Sequence, residues 1–274
     1  MRKLEVNFRK YFMIGMVTFL VMPVIGCSNN SLDLEAELEA LRQTCAVGEE
    51  VQSCRVEISS IHIEEGKNLE GTLEVEFVAP DRYHYRGYGD VEQEESIIIG
   101  NKVYSRDSEN DQWQEVEMSP NMLKAQKLSL KSLTPSAEST FQLLDSLTDL
   151  EKLPEEEING VDCLHCRGRV DMERKVEKQK AELEATLDPS EPGYQQRLKF
   201  MEWQLKLKIN EELWISRGDC LVWQRKSETQ MPAMQSPTGE IIQGEAKSTM
   251  LVHYYDINEP IKIEPPKVVS NPEP

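Results

Sequence analysis

The sequence has no apolar run long enough to cross a membrane as a helix. Its uncharged stretch from Tyr11 to Gly26 is 16 residues, with Pro23 near its end, against the roughly 20 that a helix needs to span the hydrocarbon core. Histidine is scarce, with only His62, His84, His165 and His253. No Gly-x-Ser-x-Gly elbow, His-Glu-x-x-His helix or Gly-rich phosphate loop appears, which removes the usual sequence signs of an enzyme. Positive charge is in deficit, 31 Lys and Arg against 49 Asp and Glu, for a net charge of -18. That balance repels phosphate backbones and anionic headgroups, so neither nucleic acid as a partner nor adhesion of the surface to lipid by charge is expected.

What is present begins with the N-terminus. Arg2, Lys3, Arg9 and Lys10 precede the apolar stretch, which ends in Val24-Ile25-Gly26-Cys27. A basic start, a short apolar run and a small residue before the break describe a cleaved signal peptide over residues 1–26. The last four residues resemble the lipobox of bacterial lipoproteins. That resemblance implies acylation of Cys27 by palmitate-type chains, with export and a lipid anchor on the outer face of the cell membrane. Several chains at about 0.8 kcal/mol per buried methylene hold a protein there essentially permanently.

If Cys27 is acylated, five cysteines remain, and an exported protein meets a disulfide-permissive compartment. Cys163 and Cys166 have the spacing of a metal or redox pair, but they sit in a stretch that reads as strand, where residues three apart point to opposite faces. No second ligand pair follows, so neither a metal nor a cofactor is expected. If residues 158–170 and 212–229 pair as neighbouring strands, Cys220 can bridge to Cys163 or to Cys166.

Residues 27–32 read as a short linker, and Leu34, Leu38 and Leu41 then mark an amphipathic helix capped by Asp33 and ending near Gly48. From Cys54 the period changes to two, with Val56 and Ile58, then Leu73, Val75, Phe77 and Ala79. Pro80-Asp81 is a turn, and Tyr83, Tyr85, Ile97 to Ile99, Val103-Tyr104 and Trp113 continue an antiparallel meander. Two helices are expected next, one with Leu123, Leu128, Leu130 and Leu133, the other with Phe141, Leu144, Leu147 and Leu150. Strand character returns at 158–170. Residues 171–210 read as an inserted helical hairpin broken at Pro189 to Gly193, with Leu198, Met201, Leu205 and Ile209 as one apolar stripe. Strands follow at 212–216, 221–229 and 248–256, and the proline-rich residues 267–274 read as a disordered tail.

The ordered set Phe77-Val78-Ala79-Pro80-Asp81-Arg82-Tyr83, Ile99-Gly100-Asn101-Lys102-Val103-Tyr104 with downstream Trp113, Glu157-Ile158-Asn159-Gly160-Val161-Asp162, Leu213-Trp214-Ile215-Ser216 and Tyr254 to Pro266 resembles the LolA/LolB-like superfamily of lipoprotein and lipid carriers, in particular its lipid-anchored LppX/LprG-type members. The resemblance implies an α+β, mainly β fold over residues 33–266: a curved antiparallel half-barrel sheet closed by helices around an apolar cavity. It implies a non-catalytic carrier of a lipid or of lipoprotein acyl chains. Leu73, Val75, Phe77, Tyr83, Tyr85, Ile97, Ile99 and Trp113 are the expected cavity residues. The alternative is a surface scaffold that recruits a protein partner through the 171–210 hairpin.

Overall fold

The computed structural model describes residues 30–45, 50–90, 94–106, 111–186, 192–235 and 241–268. The signal segment, Cys27 and residues 269–274 of the tail lie outside the described residues. The chain opens with α1 (Asn30–Thr44) and a meander of six strands: β1 (Ser53–Glu64), β2 (Lys67–Val78), β3 (Arg82–Gly89), β4 (Glu94–Ile99), β5 (Lys102–Arg106) and β6 (Trp113–Val116). Helices α2 (Pro120–Lys131) and α3 (Ala137–Asp145) follow, then β7 (Leu147–Lys152), β8 (Glu156–Ile158) and β9 (Val161–Val170). A hairpin of α4 (Met172–Thr186) and α5 (Pro192–Gln204) leads to β10 (Lys208–Ser216) and β11 (Val222–Met231). The small pair β12 (Met234–Gln235) and β13 (Ile241–Gln243) precedes the last long strand, β14 (Ala246–Tyr255).

Twelve strands form one open antiparallel sheet in the order β6-β5-β4-β3-β2-β1-β14-β11-β10-β9-β7, with β8 also on β9. This is the expected architecture, mainly β, unclosed and covered by helices. Because successive side chains alternate, each strand has one side toward the helices and one away. On the inner face two core clusters form. One joins Leu34, Leu38 and Leu41 of α1 to Leu164 and Cys166 of β9 and Leu213 and Ile215 of β10. The other joins Leu123 and Leu130 of α2 to β1–β5.

Several boundaries differ from the sequence reading. Helix α1 starts at Asn30, so Asp33 lies inside its first turn instead of capping it. Leu147 and Leu150 belong to β7, not to a helix. The α3 helix closes when Ser146 N donates to Leu143 O, and the ladder of β7 on β9 then shifts register between Thr148 and Glu151, where Asp149 has a positive φ. That bulge brings two leucines three apart onto one side, and both crowd the position where a side chain at Gly168 would stand. The 171–210 insertion is indeed a helical hairpin, but Ile209 is in β10 and in the first core cluster. Leu205 is 45% exposed, so the four-residue stripe does not exist. Asn159 and Gly160 both have positive φ at the tight β8–β9 turn, as that hairpin geometry requires.

Candidate functional site

The inner face of β1–β5 is built from the alternate positions of each strand. Cys54, Val56 and Ile58 of β1 stand beside Leu73, Val75 and Phe77 of β2 in the ladder, and Val75 and Phe77 face Tyr85 and Tyr83 of β3. Val75, Phe77 and Tyr83 are buried, and Leu73 and Tyr85 are half-buried against the same cluster. The Phe77 and Tyr83 rings lie 5.3 Å apart. These five of the eight expected cavity residues come together. The other three do not. Ile97 pairs with His84 and Tyr104, and Ile98 pairs with Tyr83 and Val103. Ile98, absent from the expected set, is therefore the inward residue. Ile97, Ile99 and Trp113 lie on the outer face, where Ile261 and Ile263 of the C-terminal segment cover them. A run of three isoleucines carries no period, so its phase is fixed only by the register with Tyr83.

Helix α2 lies over this face and is held lightly. Ser119 caps it by accepting from Met122 N, and Pro120 occupies its first turn. Only Leu123 and Leu130 of its twelve residues are buried. Gln126 Nε2 donates to Tyr85 Oη at 2.8 Å, and Lys127 Nζ lies 3.1 Å from Asp81. Gln126 Oε1, Thr134 Oγ1 and Trp223 Nε1 are buried with no hydrogen-bond partner among the described residues, a cost of about 1–3 kcal/mol each. Beside α2 is a hollow of about 540 Å³, lined by Pro80, Asp81, Tyr83, Asn101 and Met118 and by the α2 side chains themselves.

No protein-family model matches the chain, and no curated protein matches it. Solved structures do. The chain resembles lipoprotein LppX of Mycobacterium tuberculosis at 15% identity and a TM-score of 0.44, over 85% of this chain and all of that one. It is similar to LprF of Mycobacterium bovis at 10% identity and a TM-score of 0.45, over 87% and 99% of the two chains. A LolA superfamily protein of Nitrosomonas europaea aligns over 85% of this chain and 94% of its own at 10% identity, with a TM-score of 0.23. At these values no residue corresponds to a known role, so what the site can do follows from its own geometry.

The three free thiols among the described residues are all buried. Burial pushes the thiols of Cys54 and Cys166 up to about 12 and that of Cys163 to about 11, which leaves them protonated and unreactive at neutral pH. Cys163 and Cys166 do point to opposite faces, pairing with Ser216 and Leu213. The expected bridge from Cys220 to one of them is not formed. Cys220 lies in the turn between β10 and β11, past the end of the ladder that β10 shares with β9, and its partner is Cys45 at the end of α1, Cα to Cα 6.2 Å. His62 Nδ1 is 3.4 Å from Ser248 Oγ, with Glu64 at 3.6 Å from Nε2. This outlines a nucleophile and base that sequence order conceals, but Ser248 is 1% exposed on a mid-sheet strand and the contact is long. His165 stacks on Trp214 with ring centroids 4.2 Å apart and bonds to Glu212. Glu211, 2% exposed, is held by two bonds from Arg225 and one from Ser227.

Proposed function

We propose that the chain is an exported, membrane-anchored, non-catalytic carrier that holds an acyl chain between α2 and the inner face of β1–β5. One observation carries the reading: a continuous apolar face covered by a helix that buries only two side chains. Lifting two leucines off the sheet costs roughly 3–6 kcal/mol, and an acyl chain of about 14 methylenes taking their place gains about 11 kcal/mol at ~0.8 per methylene. The difference of about 5–8 kcal/mol stands against the cost of association and the Gln126 and Lys127 contacts of α2. The Cys45–Cys220 bridge supports an oxidising compartment outside the cytoplasm, in keeping with an export signal over residues 1–26 and acylation at Cys27. The scaffold alternative is weaker, because Met201 and Trp203 of the hairpin pack on the parent core and Trp203 Nε1 donates to Pro232 O.

Native mass spectrometry of the chain after detergent removal tests the reading, and the intact mass also reads the acylation of Cys27. The expected result is adducts of lipid mass and uptake of added monopalmitoylglycerol, reduced about tenfold or more by Leu73→Trp, which fills half-buried space on the inner face. A chain that stays free of adducts and takes up no added lipid refutes it.

A further inference from the structure

The hollow beside α2 has a wall chemistry at odds with the rest of the molecule. In a chain with 49 acidic and 31 basic residues, α2 carries Lys124, Lys127 and Lys131 and no acidic residue. Their spacing of three and four puts all three on one helical stripe, and all three line the hollow with the exposed Leu128 between them. Asp81 neutralises Lys127 alone. Lys124 and Lys131 make no ion pair among the described residues. The floor beneath them is apolar, formed by Tyr83, Leu123 and Met118, and Tyr83 and Leu123 belong to the same cluster as the proposed acyl site. Lys124 and Lys131 are exposed at the rim of this open recess, about 540 Å³ in volume, room for a headgroup and the first methylenes of its chain.

We propose that this recess is the headgroup subsite, and that it selects amphiphiles bearing a phosphate or a similar anionic headgroup. Lys124 and Lys131 contact the anion, and Leu123, Leu128 and Met118 contact the adjoining methylenes. The inference rests on the carrier reading and gives it a ligand class. Lys127 stays paired with Asp81.

The test is calorimetric titration of the full chain with dodecyl phosphate, dodecyl maltoside and inorganic phosphate, each amphiphile below its micellar concentration. Dodecyl phosphate is expected to bind about tenfold or more tightly than dodecyl maltoside at low salt, with the difference shrinking at high salt. Lys124→Gln with Lys131→Gln, both exposed positions, is expected to abolish that preference and leave dodecyl maltoside within about twofold. Lys124→Arg with Lys131→Arg is expected to retain the preference. Equal binding of the two amphiphiles, or a preference that survives the glutamine pair, overturns the headgroup subsite and leaves the carrier reading standing. Competition by inorganic phosphate alone at the affinity of dodecyl phosphate overturns it in favour of a free-anion site. Lysine-dependent binding of dodecyl phosphate with none of dodecyl maltoside supports the subsite as a strict selector, and binding of neither removes both the subsite and the carrier reading.

Discussion

His84 shows how a single residue on the outer face ties strands together. Its Nδ1 lies 3.1 Å from Glu76 and its Nε2 2.8 Å from Glu95, and Arg86 and Arg106 also bind Glu95 while Arg55 binds Glu76. Burial opposes charge on the imidazole, but the two carboxylates outweigh it and raise its pKa above the usual 6.5. The His84 and Arg55 bonds hold Glu76 at about 2 against its burial. Burial likewise opposes the charge on Glu95, and bonds from Arg106, Arg86 and His84 overcome it to hold that group at about 2 as well. A raised histidine pKa stabilises the fold fully below 6.5 and loses that contribution as pH rises through the folded value. Depressed carboxylates contribute above 4.5 and lose it only as pH falls toward 2. The cluster therefore contributes most between 4.5 and 6.5. His84→Gln is expected to lower Tm by roughly 2–4 °C more at about pH 5.5 than at about pH 8.5, on the order of 1 kcal/mol after solvent screening. Equal losses at both pH values would show that the imidazolium is not the stabilising form.

Among the elements, α1 depends most on a contact distant in sequence. Leu34, Leu38 and Leu41 bury one face of it, and Cys45 then joins Cys220 across 175 residues. A loop of that length corresponds to about 5 kcal/mol in the chain-entropy view, and measured bridges typically give about 2–4. Cys45→Ser with Cys220→Ser is therefore expected to lower stability by roughly 2–4 kcal/mol in denaturant titration. Amide exchange should quicken across α1 before it does in β1 or β14, and unchanged protection there would show that the leucines hold α1 unaided. The three leucines of α1 and the alternation of β1–β3 were readable because each pattern matches one period over several turns or residues. Three features were not. The partner of Cys220 depends on where α1 docks. Leu147 and Leu150 keep helical spacing on a strand because a bulge at Asp149 restores them to one side. Within Ile97 to Ile99, inward and outward positions differ only through pairing with β3. The site was legible to the same extent: the five inward residues of β2 and β3 follow from alternation, whereas Ile98 and the lysine stripe over the hollow require the tertiary register.

Over the whole molecule, the first and last long strands join two halves that the chain builds separately. Within the sheet, β14 joins the meander β1–β6 to the later strands β7–β11, pairing with β1 over ten residue pairs and with β11 on its other edge. The C-terminal segment then crosses the outer face, where Ile263 is buried against Ile97 and Tyr104, Arg82 donates to Ile263 O, and Val268 bridges to Trp113 at the sheet edge. This segment, read from sequence as partly unstructured through its prolines, covers an apolar patch and an edge strand that would otherwise invite pairing with another chain. Contacts so distant in sequence must form together, because either half alone leaves β1 or β11 with an unpaired edge. Unfolding is therefore expected to be a single transition. Single-tryptophan variants that keep either Trp113 or Trp214 should report the same denaturant midpoint. Leu164→Ala, a fully buried change in the later half, should shift both midpoints together by the equivalent of about 2–5 kcal/mol. Midpoints that separate, with Trp113 unmoved by Leu164→Ala, would mean that the β1–β14 seam docks two independently stable halves instead of completing one sheet.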